Sequence, residues 1–310
     1  MKKLFCMMFM ISILNTNAQQ NMDTVTIRPV KIKDNLFMLK GSGGNMGLLT
    51  GPDGTLLVDD QFAPLSDKIK ATVLKLAGSA GAPPSGAGGS SAGLVKYLIN
   101  THLHGDHSGG NENFRKDGVT ILAQENVRTR MMKESINRQN ETVPPRNKEA
   151  WPLVTFDDKI RLHLNGEDIE VTHFKLKAHT DGDAVIRFVN SNVYHTGDLF
   201  VRYGYPYIDG NSGGSFKGFI ATLDKIIEMV NDQAIIIPGH GELATRADVK
   251  ALRDKLADIG NKVSDALKKG KKPEDIPSLG ITDPYDAELG KGFLKGKDFV
   301  TVIVQEMKGK

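Results

Sequence analysis

Cysteine is nearly absent: the 310-residue chain has one, Cys6. It sits within MKKLFCMMFMISILNTNA, which reads as a basic start at Lys2 and Lys3, an apolar run from Leu4 to Leu14, and small residues before a cut after Ala18. That layout is a secretory signal peptide, and its apolar run is too short to span a bilayer. Removal of residues 1–18 is expected to leave a cysteine-free exported protein at 19–310, periplasmic or secreted from a bacterial cell. Disulfides, thiolate metal ligands and a cysteine nucleophile are thereby excluded. No lipid anchor is expected either, because a lipidated cysteine would follow the apolar run and Cys6 precedes most of it.

A charge excess of one sign is also lacking. Lys and Arg total 40 against 37 Asp and Glu, and loss of Lys2 and Lys3 leaves 38 against 37, a net charge of about +1. Nothing there suggests nucleic acid or an anionic membrane as partner. No stable membrane anchor is expected, no protein partner is indicated, and no internal repeat or tandem array is visible. What is present is 39% apolar residues, enough at this length for a sizeable core. A small-molecule enzyme built as one domain over 19–310 fits these limits.

From Val25 to Asp60, apolar or alternating runs (VTIRPVKI, NLFMLKG, NMGLLT, TLLVDD) separated by GSGG and GPDG predict a β-meander. Helical spacing over Pro64 to Leu76 precedes Ala77 to Gly93, which contains only Gly, Ala, Ser and Pro and is expected to be a flexible loop insertion. Strand VKYLIN follows. Then come a short helix near Asn111 to Lys116, strand VTILA, a helix over about Glu125 to Asn137, and strands around LVTF, KIRLHL, EDIEVTHFKL, DAVIRFV and NVYHTG. Phe216 to Val230 and Arg246 to Lys268 have helical periodicity, QAIIIPGHG reads as a buried strand ending in a loop, and KDFVTVIVQEMK fits a helix or a strand. Two successive β-then-α blocks suggest an α/β protein of α+β type, two packed sheets with helices outside.

After VKYLIN, the segment THLHGDHSGGN places three of the eight histidines and an aspartate between His102 and His107. Buried imidazoles need partners for both ring nitrogens, and a divalent metal explains such crowding. In an extended segment His102 and His104 point to one side, and a turn at Gly105 would bring Asp106 and His107 in from another direction. Four ligands do not close two sites, so others should stand at strand ends. His179 in KAHTDGDA, Asp198 in YHTGDLF and His240 in IPGHGEL each follow an apolar strand beside Gly.

HLHGDH followed by AHTDGD, HTGD and PGHG resembles the metallo-β-lactamase superfamily of binuclear metallohydrolases, over essentially the whole mature chain. The resemblance implies a four-layer αββα sandwich with two metals at one edge between the sheets. It implies His102, His104 and His179 as ligands of the first metal, Asp106, His107 and His240 of the second, and Asp198 as the bridging carboxylate. Two Zn2+ are the expected cofactors, with iron or manganese as alternatives. A metal-bridging hydroxide would attack a carbonyl, and Asp106 would orient the water and shuttle a proton. The expected substrate is a cyclic amide or ester, a β-lactam or a lactone. Asp198 stands where lactamases usually carry Cys or Ser, which brings the chain nearer to lactonase-like and thioesterase-like members. The alternatives are an iron-dependent oxidative member and a non-catalytic metal-binding domain.

Asp59, ending TLLVDD, matches an aspartate that supports a ligand histidine or the loop backbone, with a capping or turn role as the alternative. GSGGNMG, Gly41 to Gly47, corresponds to a hairpin over the active site or is a plain turn. Phe200, Tyr203, Tyr205 and Tyr207 follow Asp198 directly and are expected to wall the substrate pocket, unless they pack elsewhere. His163, His173 and His195 stay outside the ligand set, the first two as exposed or half-buried strand residues.

Overall fold

The computed structural model describes residues 21–79, 94–137 and 139–308. The expected signal peptide and residues 80–93 of the expected insertion lie outside them. Residues 77–79 are not loop: helix α1 runs Ser66–Ser79, and Ala77 is buried with Ile69 and Val73 against the first sheet.

That sheet begins with β1 (Arg28–Lys31), β2 (Leu36–Lys40), β3 (Met46–Leu49) and β4 (Thr55–Val58), an antiparallel meander. It continues in parallel through β5 (Val95–Ile99) and β6 (Thr120–Gln124). A separate two-stranded hairpin, β7 (Ser135–Ile136) and β8 (Thr142–Val143), precedes the last strand of the sheet, β9 (Val154–Phe156). The second sheet is β10 (Lys159–Leu164), β11 (Glu167–Thr172), β12 (Val185–Phe188), β13 (Val193–His195) and β14 (Ile235–Ile237), antiparallel except for the parallel pair β13 and β14.

Strands β2 to β4 are apolar at nearly every position because both faces are covered. Leu36, Met38, Leu56, Val58 and Ile99 pack with Ile169, Val171, Ile186, Phe188 and Ile237 of the second sheet. The alternate residues Phe37, Leu39, Leu48 and Leu57 pack beneath α1. Outside the second sheet, Tyr194 and Ile236 pack under α5 (Phe216–Met229), α6 (Arg246–Lys268) and α8 (Gly296–Lys308). The result is helix, sheet, sheet, helix, held by side chains whose full burial is worth roughly 1.5–3 kcal/mol each.

Two local expectations change. The tail is helical, because Phe299, Val300, Ile303 and Val304 bury one helical stripe that outweighs their β-branched preference. Helix α4 (Glu125–Met131) stops six residues short of Asn137, because Asn137 folds the chain back: its Oδ1 accepts from Gln139 N and Glu141 N at 2.9 and 2.8 Å, closing the β7–β8 hairpin.

For the site, strand direction matters most. Because β4 runs parallel to β5 and β13 to β14, Asp59, His102, Asp198 and His240 all follow strand ends at one edge of the sandwich. Helix α6 opens with a capping box in which the Thr245 hydroxyl and the Asp248 carboxylate each serve the other's backbone N–H. Thr245→Ala should cost about 1 kcal/mol in chemical denaturation. An unchanged unfolding free energy would show that tertiary packing alone holds this end of the helix.

Candidate metal centre

After β5 the chain bends at residues 101–103, where an extended run was expected, is extended at His104, and then makes the short helices α2 (Gly105–Ser108), from which Asp106 and His107 project, and α3 (Asn111–Lys116). Gly105 itself has no positive φ, and a Cβ there would meet nothing, so helix initiation and not a glycine turn redirects the ligands. The loop is clamped by a residue with no sequence signal of its role. The Arg146 guanidinium donates to the carbonyls of Leu103, between His102 and His104, and of Ser108, just after His107, at 2.6 and 3.0 Å.

Two donor sets form. His102 Nε2 and His179 Nε2 lie 3.2 and 2.9 Å from His104 Nδ1. Beside them, His240 Nε2 lies 3.3 Å from His107 Nε2 and 3.2 Å from Asp106 Oδ2. Asp198 stands between the sets, with Oδ1 3.1 Å from His107 Nε2 and Oδ2 3.7 Å from His179 Nε2. All seven expected ligands are therefore brought together, in the expected grouping.

The outer ring nitrogens assign the tautomers. His104 Nε2–H donates to Asp209 Oδ2 at 2.8 Å, His107 Nδ1–H to Asp59 Oδ2 at 2.7 Å, and His179 Nδ1–H to the Tyr207 carbonyl at 2.7 Å. The Thr101 hydroxyl must donate to Asp59 Oδ2 at 2.8 Å, so it accepts from His102 Nδ1–H at 3.0 Å. Each of these four rings thus turns a lone pair toward the others, an arrangement that repels itself unless a cation lies among them. Asp198 Oδ1 agrees: it is buried with no hydrogen-bond partner. The residues fit two divalent ions, held by His102, His104 and His179 and by Asp106, His107 and His240, with Asp198 facing both.

Electrostatics separates the two sets. Burial, with the neighbouring rings adding to it, holds the His102 pKa well below normal and that of His179 at about 4, so both are neutral as ligands require. Burial also opposes charge on His107 and His240, but Asp198 and Asp106 prevail, raising His107 well above normal and His240 to about 9. The carboxylates respond in kind. Against burial, His107 and His240 hold Asp106 at about 2, and the same two rings keep Asp198 well below the carboxylate range. The second set is a place built for positive charge.

Glycines admit the surrounding backbone. A Cβ on Gly44 would overlap the His107 ring, and one on Gly239 would overlap Asp198 Oδ1. The β2–β3 hairpin that carries Gly44 crosses over the site, tied down by Asn45 Nδ2 donating to Pro238 O and Gly241 O, both at 2.9 Å. His195 is fully buried and hydrogen-bonds the Asn45 carbonyl at 3.1 Å, bracing that hairpin from beneath. Asp59 joins His107 to the Thr101 backbone N–H, 2.7 Å from Oδ1. His163 is exposed beside Asp168, whereas His173 is buried and bonded to Asp183 O at 2.7 Å, contrary to expectation.

A cavity of about 1060 Å³ opens above His104, Asp106, Asp198 and His240. Tyr203 and Tyr207 line it, but Phe200 and Tyr205 do not. Both are buried in the core under α5 and α8, where Tyr205 stacks on Phe299 at 5.0 Å and donates to Asp286 at 2.7 Å. The chain from 201 to 209 is bent and makes no regular strand, so residues two apart do not share a side: Tyr205 turns into the core while Tyr203 and Tyr207 face the cavity. Asp209, Lys291 and Phe293 also line the cavity and carry no advance signal beyond the turn-like DGNSGG that Asp209 opens.

A sequence profile described as the metallo-beta-lactamase superfamily matches residues 39–240, spanning all seven ligands. The chain belongs to this superfamily. It is similar to the hydroxyacylglutathione hydrolase GloC of Haemophilus influenzae, 29% identical over 154 residues that cover 49% of this chain and 71% of that protein. It is similar also to the acyl-coenzyme A thioesterase MBLAC2 of Gallus gallus, 25% identical over 223 residues covering 66% and 74%. Among solved structures, the metallo-beta-lactamase from Pontibacter korlensis shares the fold, with a TM-score of 0.58 at 15% identity over 75% of this chain and all of that one. The superfamily sandwich agrees with the observed layers.

Asp209→Ala removes the acceptor that orients His104 and should weaken metal binding about 10–100-fold in a chelator competition, with the fold intact by circular dichroism. Unchanged affinity would show that packing alone orients the ring. Gly44→Ala should do at least as much harm by displacing His107.

Proposed function

We propose that this metal-dependent hydrolase holds two zinc ions and cleaves an ester-type carbonyl compound (a thioester, ester or lactone) outside the cytoplasm. The observation that carries the reading is Asp198, whose two oxygens face the two donor sets. Zinc ions, when bound, supply a water of lowered pKa and polarise the carbonyl oxygen of the substrate. The chain's own groups do the rest. Asp106, a carboxylate bordering the cavity, can accept a hydrogen bond from the attacking water and carry a proton to the departing sulfur or oxygen. The outer partners Asp59, Asp209, Thr101 and the Tyr207 carbonyl keep the rings aimed. The hairpin from Lys40 to Asn45 limits entry of bulk water.

The names of the two relatives favour thioesters: one is a hydroxyacylglutathione hydrolase, the other an acyl-coenzyme A thioesterase. The carboxylate at 198 supports the same preference over β-lactams. Export rests on the first eighteen residues and zinc on the nitrogen-rich donor set. A full set of seven ligands favours a binuclear hydrolase over a mononuclear iron enzyme.

The test uses protein produced from the whole gene, its N-terminus read by mass spectrometry and its metal content by elemental analysis. Thioester, lactone and chromogenic cephalosporin turnover are then compared. We expect a start near residue 19, about two zinc ions per chain, and thioester or lactone hydrolysis exceeding cephalosporin hydrolysis. His104→Ala and Asp198→Ala should each lower kcat/KM by at least about 100-fold, as should chelation. Full activity in either variant would overturn the binuclear reading, and fast cephalosporin turnover would move the substrate to β-lactams.

A further inference from the structure

The C-terminal turn between α7 (Asp283–Leu289) and α8 reads GKGFLKG and lies outside the residues matched by the superfamily profile. It is fastened to the segment after Asp198: Tyr205 N donates to the Leu289 carbonyl at 3.0 Å, and Lys295 Nζ bonds the carbonyls of Gly290 and Gly292, each at 2.9 Å. From this braced turn Phe293, 51% exposed, reaches both tyrosines of the cavity, 5.6 Å from Tyr203 and 6.2 Å from Tyr207. Each tyrosine in turn faces a ligand of a different donor set, Tyr203 against His240 at 5.2 Å and Tyr207 against His104 at 6.0 Å. Phe293 is thus the outer member of an aromatic arch standing on both halves of the metal centre.

Two cations border the same cavity. Lys40 is neutralised by its ion pair with Glu242. Lys291 is exposed, and among the described residues no carboxylate lies within ion-pairing distance of it. The acidic groups lining the cavity, Asp106, Asp198 and Asp209, each lie within 3.4 Å of a histidine ring nitrogen, and none lies within ion-pairing distance of Lys291.

We infer that Phe293 and Lys291 form a substrate subsite, the ring taking an apolar or aromatic portion and the ammonium an anionic group, carboxylate or phosphate, of the substrate. Packing on the Phe293 face gains apolar burial, and the lone ammonium supplies a point charge without bidentate geometry. The inference deepens the hydrolase reading by naming the substrate class, and it rests on that reading only for turnover.

Three phenylacetyl thioesters test it: of N-acetylcysteamine, which is neutral, of 3-mercaptopropionate, which adds a carboxylate, and of coenzyme A, which adds phosphates. In zinc-loaded protein, Lys291→Glu should lower the ratio of kcat/KM for an anionic thioester to that for the neutral one about tenfold, mainly through KM. Phe293→Ala should raise KM for all three about fivefold. An effect confined to the mercaptopropionate arm identifies carboxylate as the anion, and one confined to the coenzyme A arm identifies phosphate. Calorimetry with the three corresponding S-benzyl thioethers, which cannot be hydrolysed, reads binding by itself. Tighter binding of an anionic thioether, lost in Lys291→Glu, supports the subsite even if no thioester is turned over, in which case only the thioesterase reading fails. Equal binding of neutral and anionic thioethers, or a preference untouched by Lys291→Glu, overturns the subsite whatever the turnover.

Discussion

Four imidazoles turn unprotonated nitrogens toward one another at the floor of the cavity, with a buried, unpartnered carboxylate oxygen between them. In a protein interior such a cluster is unfavourable by several kcal/mol unless positive charge is shared among its members. That requirement organises everything nearby. It accords with the neutral state into which burial drives His102 and His179 and with the pull of Asp198 and Asp106 toward positive charge beside His107 and His240, and it explains why two glycines stand where any side chain would collide with a ligand and why a second ring of acceptors fixes the tautomers.

The sandwich supplies the rigidity that this requires. Seven ligands come from four separate places in the chain: three follow the ends of β5, β13 and β14, and His179 sits in the loop between β11 and β12. The largely apolar inter-sheet layer, packed at the density of a protein interior, restrains the strand ends that carry the ligands. The polar supports then act over short distances. Asp59 links two ligand histidines through one carboxylate, Arg146 clamps the loop that carries four ligands, and the Asp183 carboxylate folds the His179 loop by accepting from the Thr180 N–H and hydroxyl at 2.7 and 2.5 Å.

Access to the centre is governed by parts far apart in sequence. The β2–β3 hairpin closes one side of the cavity, and the C-terminal turn closes another with Phe293 over Tyr203 and Tyr207. The metal site and the cavity wall are therefore separable: one belongs to the portion that the superfamily profile matches, the other partly to residues beyond it. A fold that carries many chemistries on one metal frame changes substrate through such walls.

Ligand identity was legible in the chain because metal chemistry admits few residue types, and THLHGDHSGGN concentrates them at a strand end. Apolar runs likewise announced the two sheets, and Arg246 to Lys268 appears as a helix with the same bounds, since its stripe and Thr245 cap are local signals. Other features were decided only by tertiary packing. Phe200 and Tyr205 went to the core and Tyr203 and Tyr207 to the cavity, a division set by which neighbours could cover each ring. The β-branched tail became a helix because α5 and α6 offered one apolar stripe to bury. Asp209, Arg146, Lys291 and Phe293 carry no local pattern, because their roles arise from contacts across tens of residues, which short-range periodicity does not encode.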